Sequence, residues 1–466
     1  MRAGRRIILL LLLAAWAAVG SLFPESRSLQ ECLELGMRNS KALRAAQLRL
    51  QALGAAYLAA RDARLPSLAL AAKYSRLSPL AAGSIDLGGS IGSISLFPAI
   101  EDTFALSASL QQPLWSGLRI RSAIAQARAA REEAALSCQQ QRQELAYQVR
   151  AAFWELAKAD EALRVFDENI TRVNAHLKDI QDFYDRGLVT YNEVLQARMQ
   201  LAQTTLRRLE AGNTRALLQA RLAILIGLPA DALIEPEYRL GEETGPAAQA
   251  AGGGPADAEA EAGAPAGPGA VDRELDPGEG LAAALERRPE VGAARQRLAA
   301  AQAAVTAARS GWYPSVFLTG GYQYALPNPR QFPPEPQFTG TWDLGVAASL
   351  DVGRWPAVAR HGQQALAQAG QAREALGQLE DSILLEVFQA RLRLDHNAQR
   401  IGVARQLVAQ AEENRKIISE KHSSGLALAS ELLDAETARL EADLELSQAR
   451  IDLEIARAAL ARALGR

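Results

Sequence analysis

Between 149 and 184 the apolar residues fall at alternating three- and four-residue steps: Leu163, Phe166, Ile170, Val173, Leu177, Ile180 and Tyr184. That alternation is a heptad seam, the pattern that keeps one face of a helix against a partner helix. Val149, Phe153 and Leu156 feed the seam from upstream, and no proline interrupts it from Leu114 onward. A helix from about 118 to 184 would be roughly 100 Å long at ~1.5 Å per residue, several times the width of an ordinary domain. Arg186-Gly187-Leu188-Val189-Thr190 follows, and Gly187 can take the left-handed conformation that ends a helix. A second helical pattern then runs from about 192 to 226. The stretch 129–227 therefore reads as one very long antiparallel helical hairpin.

The same hairpin occurs again between 357 and 465. Val387, Leu394, Ile401 and Val408 are seven apart, and the run ends in Ser424-Gly425-Leu426. Gly187-Leu188 through Leu195-Gln196-Ala197 is answered by Gly425-Leu426 through Leu433-Asp434-Ala435, and Leu225-Ile226-Gly227 by Ala463-Leu464-Gly465. Upstream, Ala60-Arg61 and Pro66 are answered by Ala308-Arg309 and Pro314. The expectation is two copies of one unit, 29–238 and 279–466, instead of two or three globular domains. The segment between them, 239–278, is of low complexity. Its stretch 241–268 is nearly all Ala, Gly, Pro and Glu, too poor in large apolar side chains to offset the entropy of ordering.

Residues 1–20 have the layout of a secretory signal peptide: Arg2, Arg5 and Arg6, a short apolar run from Ile7 to Leu13, then small residues. Cys32 follows Gln30-Glu31, not the small apolar residues of a lipoprotein cleavage site. No later segment reaches the ~18 apolar residues of a membrane-spanning helix, so any crossing of a membrane must use strands. Strand patterns are present. After a helical stretch 29–65, with a break expected at Arg38-Asn39-Ser40, Pro66 ends the helix because it disfavours helical geometry in the residue before it. Leu68, Leu70, Ala72 and Tyr74 then alternate with Ser67, Ala69, Ala71 and Lys73; Phe104, Leu106, Ala108 and Leu110 alternate with Thr103, Ala105, Ser107, Ser109 and Gln111. Residues 78–102, rich in Gly, Ser and Pro, read as a loop, and Pro113 as the exit into the long helix. Beyond Pro314, Val316, Leu318, Tyr322 and Tyr324 alternate with Ser315, Phe317, Thr319 and Gln323. After a proline-rich loop, Trp342, Leu344, Val346, Ala348 and Leu350 alternate with Thr341, Asp343, Gly345, Ala347, Ser349 and Asp351, up to an exit near Pro356. An apolar face with aromatics near its ends, opposite a small and polar one, is the pattern of a transmembrane β-barrel wall. A half-buried soluble sheet alternates in the same way; the export signal and the helix lengths favour the barrel.

Composition agrees. Aromatics are only 5% of the chain, which suits helices meeting through small residues. The net charge of −2 falls by three, to −5, once Arg2, Arg5 and Arg6 are removed, so nothing points to nucleic acid.

In these features the sequence resembles the TolC-type outer-membrane efflux proteins. The carriers are the duplicated unit, the Pro66 and Pro314 entries into strand pairs, Gln112-Pro113-Leu114-Trp115-Ser116-Gly117 on leaving the first pair, and the two hairpin tips. The resemblance implies a mixed α and β fold with two internal repeats. Each protomer of a homotrimer would give four strands to a twelve-stranded transmembrane β-barrel in the outer membrane of a Gram-negative-type bacterium, continued into the periplasm by a long α-helical coiled-coil barrel. Four strands alone cannot close a barrel, since known ones start at about eight. The resemblance further implies a passive exit duct of a tripartite efflux or type I secretion system. Outer-membrane lipid would surround it, and a periplasmic adaptor and an inner-membrane pump of RND, ABC or MFS type would dock at tips marked by Gly187, Leu188, Gly425 and Leu426. The competing expectation is a structural periplasmic coiled-coil protein without a pore. One departure is visible: the second strand pair exits through Asp351-Val352-Gly353-Arg354-Trp355-Pro356, without the family's usual Phe-Asp-Gly-Gly.

No catalytic, metal or cofactor site is expected. His176, His361, His396 and His422 are scattered and lack zinc-protease spacing, which leaves them as solvated helix-surface residues. Cys32 stands 34 residues before Pro66 and Cys138 25 after Pro113. On helices leaving one rim that offsets them by about 14 Å at ~1.5 Å per residue, beyond the ~7 Å a disulfide spans, so two free thiols are expected. The one functional constellation is acidic. Glu431 and Asp434, three apart, share a helix face. The resemblance implies that they ring a narrow periplasmic entrance, with Glu193 at the matching position of the first repeat. Read without it, they are acids favoured by the helix dipole and simply solvated. Family members also lock this entrance with basic and tyrosine side chains; here His422 and Ala427 stand at the neighbouring positions. Because 241–268 lacks packing residues, its deletion is expected to leave the detergent-solubilised oligomer unchanged on size-exclusion chromatography.

Overall fold

The computed structural model describes residues 25–78, 84–86, 93–95, 100–238, 284–332, 334–424 and 426–466. The signal-peptide stretch 1–20, the low-complexity segment 241–268 and Gly425 lie outside them. Contacts divide the chain into two compact units, one made of 1–47, 137–291 and 379–466, the other of 48–136 and 292–378.

The second unit holds an antiparallel sheet of β2 (Ser67–Arg76), β5 (Asp102–Ser116), β7 (Ser315–Leu326) and β8 (Thr339–Ser349), in the order β2-β5-β7-β8. The register puts residues of one alternation side by side: Leu68 opposite Leu110, Leu106 opposite Tyr324, Tyr322 opposite Trp342. On the reverse face Ala71, Ser107, Gln323 and Thr341 lie in one row. The apolar face is bare: Leu70 is 77% exposed and Trp342 73%. In the 78–102 stretch read as a loop, Ser84–Asp86 (β3) pairs with Ser93–Ser95 (β4).

Pro66 and Pro314 each stand immediately before a strand. Pro113 does not mark the exit from β5; it lies inside the strand, beside a register shift between Pro113 and Trp115. A strand tolerates a proline at such an irregularity because no ladder hydrogen bond is required there. The chain leaves β5 at Gly117 and Leu118, with φ of 57° and 73°. Pro356 is already inside the next helix, in its first turn, where its missing N–H leaves no bond unmade.

The first unit is helical. Its elements include α1 (Leu29–Asn39) and parts of α2 (Lys41–Asp62), α3 (Arg119–Asp185) and α6 (Trp355–Ser423), together with α4 (Tyr191–Leu225) and α7 (Ala429–Ala463). The expected break near Asn39 is Ser40, between α1 and α2. α3 has 67 residues and α6 69, and each return helix, α4 and α7, has 35. α5 (Pro289–Ala308) precedes β7. None of the described helices is long and apolar enough to cross a membrane. A core of Cys32, Leu145, Val149, Phe153, Leu156, Leu222, Ile226 and Ile234 joins α1, α3 and α4 to a two-strand parallel pair. That pair, β1 (Glu25–Ser28) with β6 (Ile234–Glu237), is absent from the sequence reading because four-residue strands show no usable alternation. Both cysteines are free thiols; burial pushes that of Cys32 up to about 11. Elsewhere helices meet through alanine, including Ala197, Ala429, Ala442, Ala449 and Ala463, all fully buried.

Salt bridges tie α3 to the return helices: Arg221 to Glu155 at 2.7 Å, Arg208 to Asp167 at 2.7 Å, and Lys158 to Asp452 at 2.7 Å. Arg400 of α6 reaches Glu445 at 2.6 Å and Asp452 at 2.9 Å.

Gly117 is the tightest point of the strand-to-helix turn. A Cβ there would lie 2.6 Å from the Ser310 carbonyl oxygen and 2.9 Å from Tyr313 Cβ. Gly117→Ala should destabilise the sheet unit by about 1–3 kcal/mol through the clash and the left-handed φ. The expected readout is a lower apparent Tm of the detergent-solubilised protein.

Candidate functional site: the hairpin tips and their charge cluster

Each hairpin tip is a helix stop built from backbone bonds. At the first, Gly187 has φ 74°; its N–H donates to Tyr184 O at 2.8 Å, and the Leu188 N–H to Phe183 O at 2.9 Å. This is the Schellman arrangement, which satisfies carbonyls left open at a helix end and needs a residue without a Cβ penalty at the left-handed position. At the second tip the Leu426 N–H donates to Lys421 O at 2.8 Å, the same five-residue span. Leu188 is 68% exposed and Leu426 80%, so each tip ends in a bare apolar side chain.

Below the tips Ile180, Val194, Ala197, Ala429 and Leu433 form a small buried cluster with Leu177 and Val189. It sets which face of α7 turns inward. Leu432, Leu433, Ala435 and Glu436 are buried; Glu431 and Asp434 lie on the opposite, exposed face, one turn apart. Neither carboxylate is joined by a hydrogen bond or ion pair to another described residue. Glu193 is placed differently. Its carboxylate accepts the Thr190 backbone N–H at 3.3 Å and the Thr190 hydroxyl at 3.3 Å, capping the start of α4. A carboxylate held this way caps its own helix, a contact that Glu431 and Asp434 do not make among the described residues.

Two of the four histidines are not solvated surface residues. His422 is half-buried; its Nδ1 donates to Ala427 O at 3.1 Å and its ring meets Phe183 edge-on at 6.0 Å between centroids. His176 Nε2 lies 3.2 Å from Glu436 Oε1. His361 and His396 are exposed, as expected.

Glu436 is the residue that sequence reasoning missed. Its side chain is 1% exposed, yet it carries a carboxylate among the apolar seam residues of α7. Arg172 and His176 of α3 face it at 3.5 and 3.2 Å, and Arg415 of α6 at 3.6 Å. Three helices thus meet on one buried charge. A second layer follows: Glu412 pairs with Arg415 at 2.7 Å and with Arg439, which also holds Asp443 at 2.8 Å. Burial by itself pushes the Glu436 carboxyl up. The His176 hydrogen bond and the charges of His176, Arg172 and Arg415 outweigh it and leave its pKa below the usual glutamate value. The signal was present in the sequence: Leu432, Leu433, Glu436 and Leu440 step along one helix face, and an acid at a seam position requires a partner.

A bare-faced antiparallel sheet and paired long hairpins are the parts of an outer-membrane channel protomer. The chain matches the family model described as Outer membrane efflux protein over residues 33–228 and 280–466 and belongs to that family, which resides in the outer membrane and comprises channels, not enzymes. Among curated proteins no sequence matches significantly. Among solved structures the chain is similar to the outer membrane protein VceC from Vibrio cholerae (21% identity, 94% of this chain and 96% of that one, TM-score 0.76). It is also similar to the Campylobacter jejuni outer membrane channel CmeC (16%, 94% and 85%, TM-score 0.71) and to the open state of the Neisseria gonorrhoeae outer membrane channel MtrE (19%, 94% and 88%, TM-score 0.71). At these identities the likeness concerns the fold.

Glu436→Gln removes the charge that holds Arg172 and Arg415 together. Local opening of the tip should then cost about 2 kcal/mol less, and amide exchange in 172–180 and 429–440 should speed up about 30-fold. The same contribution depends on pH. Because folding lowers the Glu436 pKa, its stabilisation is full above the ordinary value of about 4.3 and is lost as pH falls through the folded-state pKa. Hydrogen exchange between pH 5 and 3 should show the tip loosening in the native protein, with little further change in the Gln variant.

Proposed function

We propose that this chain is one third of an exit duct. Three copies each contribute β2, β5, β7 and β8 to a single outer-membrane barrel, twelve strands in all, and their hairpins line a helical passage on the periplasmic side. The observation that carries this is the sheet itself. Its four strands leave β2 and β8 as open edges, and its apolar face is uncovered. In lipid every backbone N–H and C=O must be paired, so an open sheet is viable only when other copies close it. The equal lengths of the two hairpins support a duplicated unit spanning 29–238 and 279–466, with 239–278 as the linker.

In this reading cargo delivered by an inner-membrane pump enters at the tips through a periplasmic adaptor. The exposed Leu188 and Leu426 beside Gly187 and Gly425 are the adaptor's contacts. Glu431 and Asp434, whose carboxylates have no partner among the described residues, supply two carboxylates per copy to the entrance. Such a ring favours cations, as acidic rings do in other pores.

The purified protein should run as a trimer in detergent and conduct in planar bilayers with cation preference. A folded monomer that stays soluble without detergent contradicts the duct. Glu431→Gln with Asp434→Asn should abolish the cation preference and the block by divalent cations while leaving the trimer intact. Unchanged selectivity would return both acids to the role of solvated helix residues.

A further inference from the structure

The segment joining β7 to β8 does not project away from the sheet; it folds back over the polar face. Asn328 is fully buried. Its Nδ2 donates to the Thr339 carbonyl at 2.9 Å and to Thr341 Oγ1 at 3.3 Å, and its Oδ1 accepts the Arg330 N–H at 3.0 Å. The Arg330 guanidinium then reaches further along β8, donating to the Trp342 carbonyl and to Asp343 Oδ1, each at 2.9 Å. Thr341 and Asp343 sit in register with Gln323 and Gly321 on the polar face. Gly321 leaves the room the carboxylate occupies, since a Cβ there would lie 2.8 Å from Asp343 Oδ1. Ala325, of that same face, is only 1% exposed, whereas Tyr324 beside it on the other face is open. Asp343 is four residues beyond Thr339, so the arm reaches about 13 Å down the strand at ~3.3 Å per residue.

The return half of the loop takes the opposite side. Phe338 stacks on Tyr324 with centroids 5.2 Å apart and lies 6.0 Å from Phe104, both residues of the apolar face. The loop therefore straddles the sheet's rim, with an aromatic foot on the apolar side and a polar arm on the other.

We infer that this arm is an inward-folded constriction of the duct's outer mouth, with the Arg330–Asp343 pair as the pin that holds it in the water path. The inference rests on the trimeric-duct reading, in which the polar face lines the lumen and three such arms converge. The pin is suited to yield. Both side chains are half-exposed, and an ion pair in contact with water is a weak tether, so wide cargo can displace the arm while small ions pass beside it. The pair also balances the mouth electrically, because each partner cancels the other's charge.

Single-channel recording in planar bilayers, with reversal potentials in a KCl gradient, tests this on wild type, Arg330→Ala and Asp343→Ala. Both variants should raise conductance by about 1.5-fold or more. Their ion preferences should move in opposite directions: toward cations when Asp343 is left alone, toward anions when Arg330 is. Thiol labelling reports on the arm separately. With Cys138→Ser in the background, Ala325→Cys should resist a water-soluble maleimide when Arg330 is present and react when it is replaced by Ala. A conducting wild type whose two variants keep its conductance and ion preference overturns the inference alone. A wild type that carries no current overturns the duct reading and the inference with it.

Discussion

The backbone hydrogen bond in a medium without water is the constraint from which the rest of this structure follows. β2 and β8 each pair on one side only, and the face they share with β5 and β7 is apolar and uncovered. In water such a sheet would aggregate through its edges; in an outer membrane the apolar face is solvated by lipid, and only closure into a barrel satisfies the edges. A single copy is thus an incomplete object, and the need for further copies follows from hydrogen-bond accounting before any likeness to other channels is considered; that there are three is what the resemblance implies.

Away from the sheet a different economy applies. The helices of the first unit meet through alanine, which permits close approach but contributes little burial per residue. Cohesion is supplemented by ion pairs between helices, at Arg221–Glu155, Lys158–Asp452 and Arg400–Glu445, and by the inward-turned Glu436. A buried charge of this kind adds little net stability compared with a well-packed leucine, but it punishes any arrangement that separates it from its partners. Glu436 touches both long helices, α3 through Arg172 and His176 and α6 through Arg415. It therefore fixes how the two hairpins are placed at their tips, where an adaptor would have to engage them.

In the proposed duct, charge is arranged differently at the tips and in the sheet. At the tips Glu431 and Asp434 lie on the exposed face of their helix and have no side-chain partner among the described residues. On the polar face of the sheet, Arg330 of the β7–β8 loop is set against Asp343 of β8, a matched pair. Selection at the tips and neutrality in the sheet suit a conduit that must release whatever it has accepted.

The sequence alone located the long helices and the four long strands of this protein. Heptad spacing from Leu163 to Tyr184 gave the long helix, alternation from Ser67 and from Ser315 gave the strands, and Gly187 gave the turn, because each rests on interactions within a few residues along the chain. It also carried the family, through the order and repetition of those elements. It misplaced Pro113, whose tolerance depends on a register shift against β7, and it missed the β1–β6 pair, which joins segments about 200 residues apart. Glu193 and Glu431 look alike as acids in first helical turns; only the fold makes one a cap and leaves the other free. His176 and Arg172 look like surface residues until α7 brings Glu436 against them. Periodicity reports which face of an element is apolar. Which polar groups become buried together is decided by contacts between distant segments, where desolvation forces each charge to find a partner, and that information exists only in the tertiary structure.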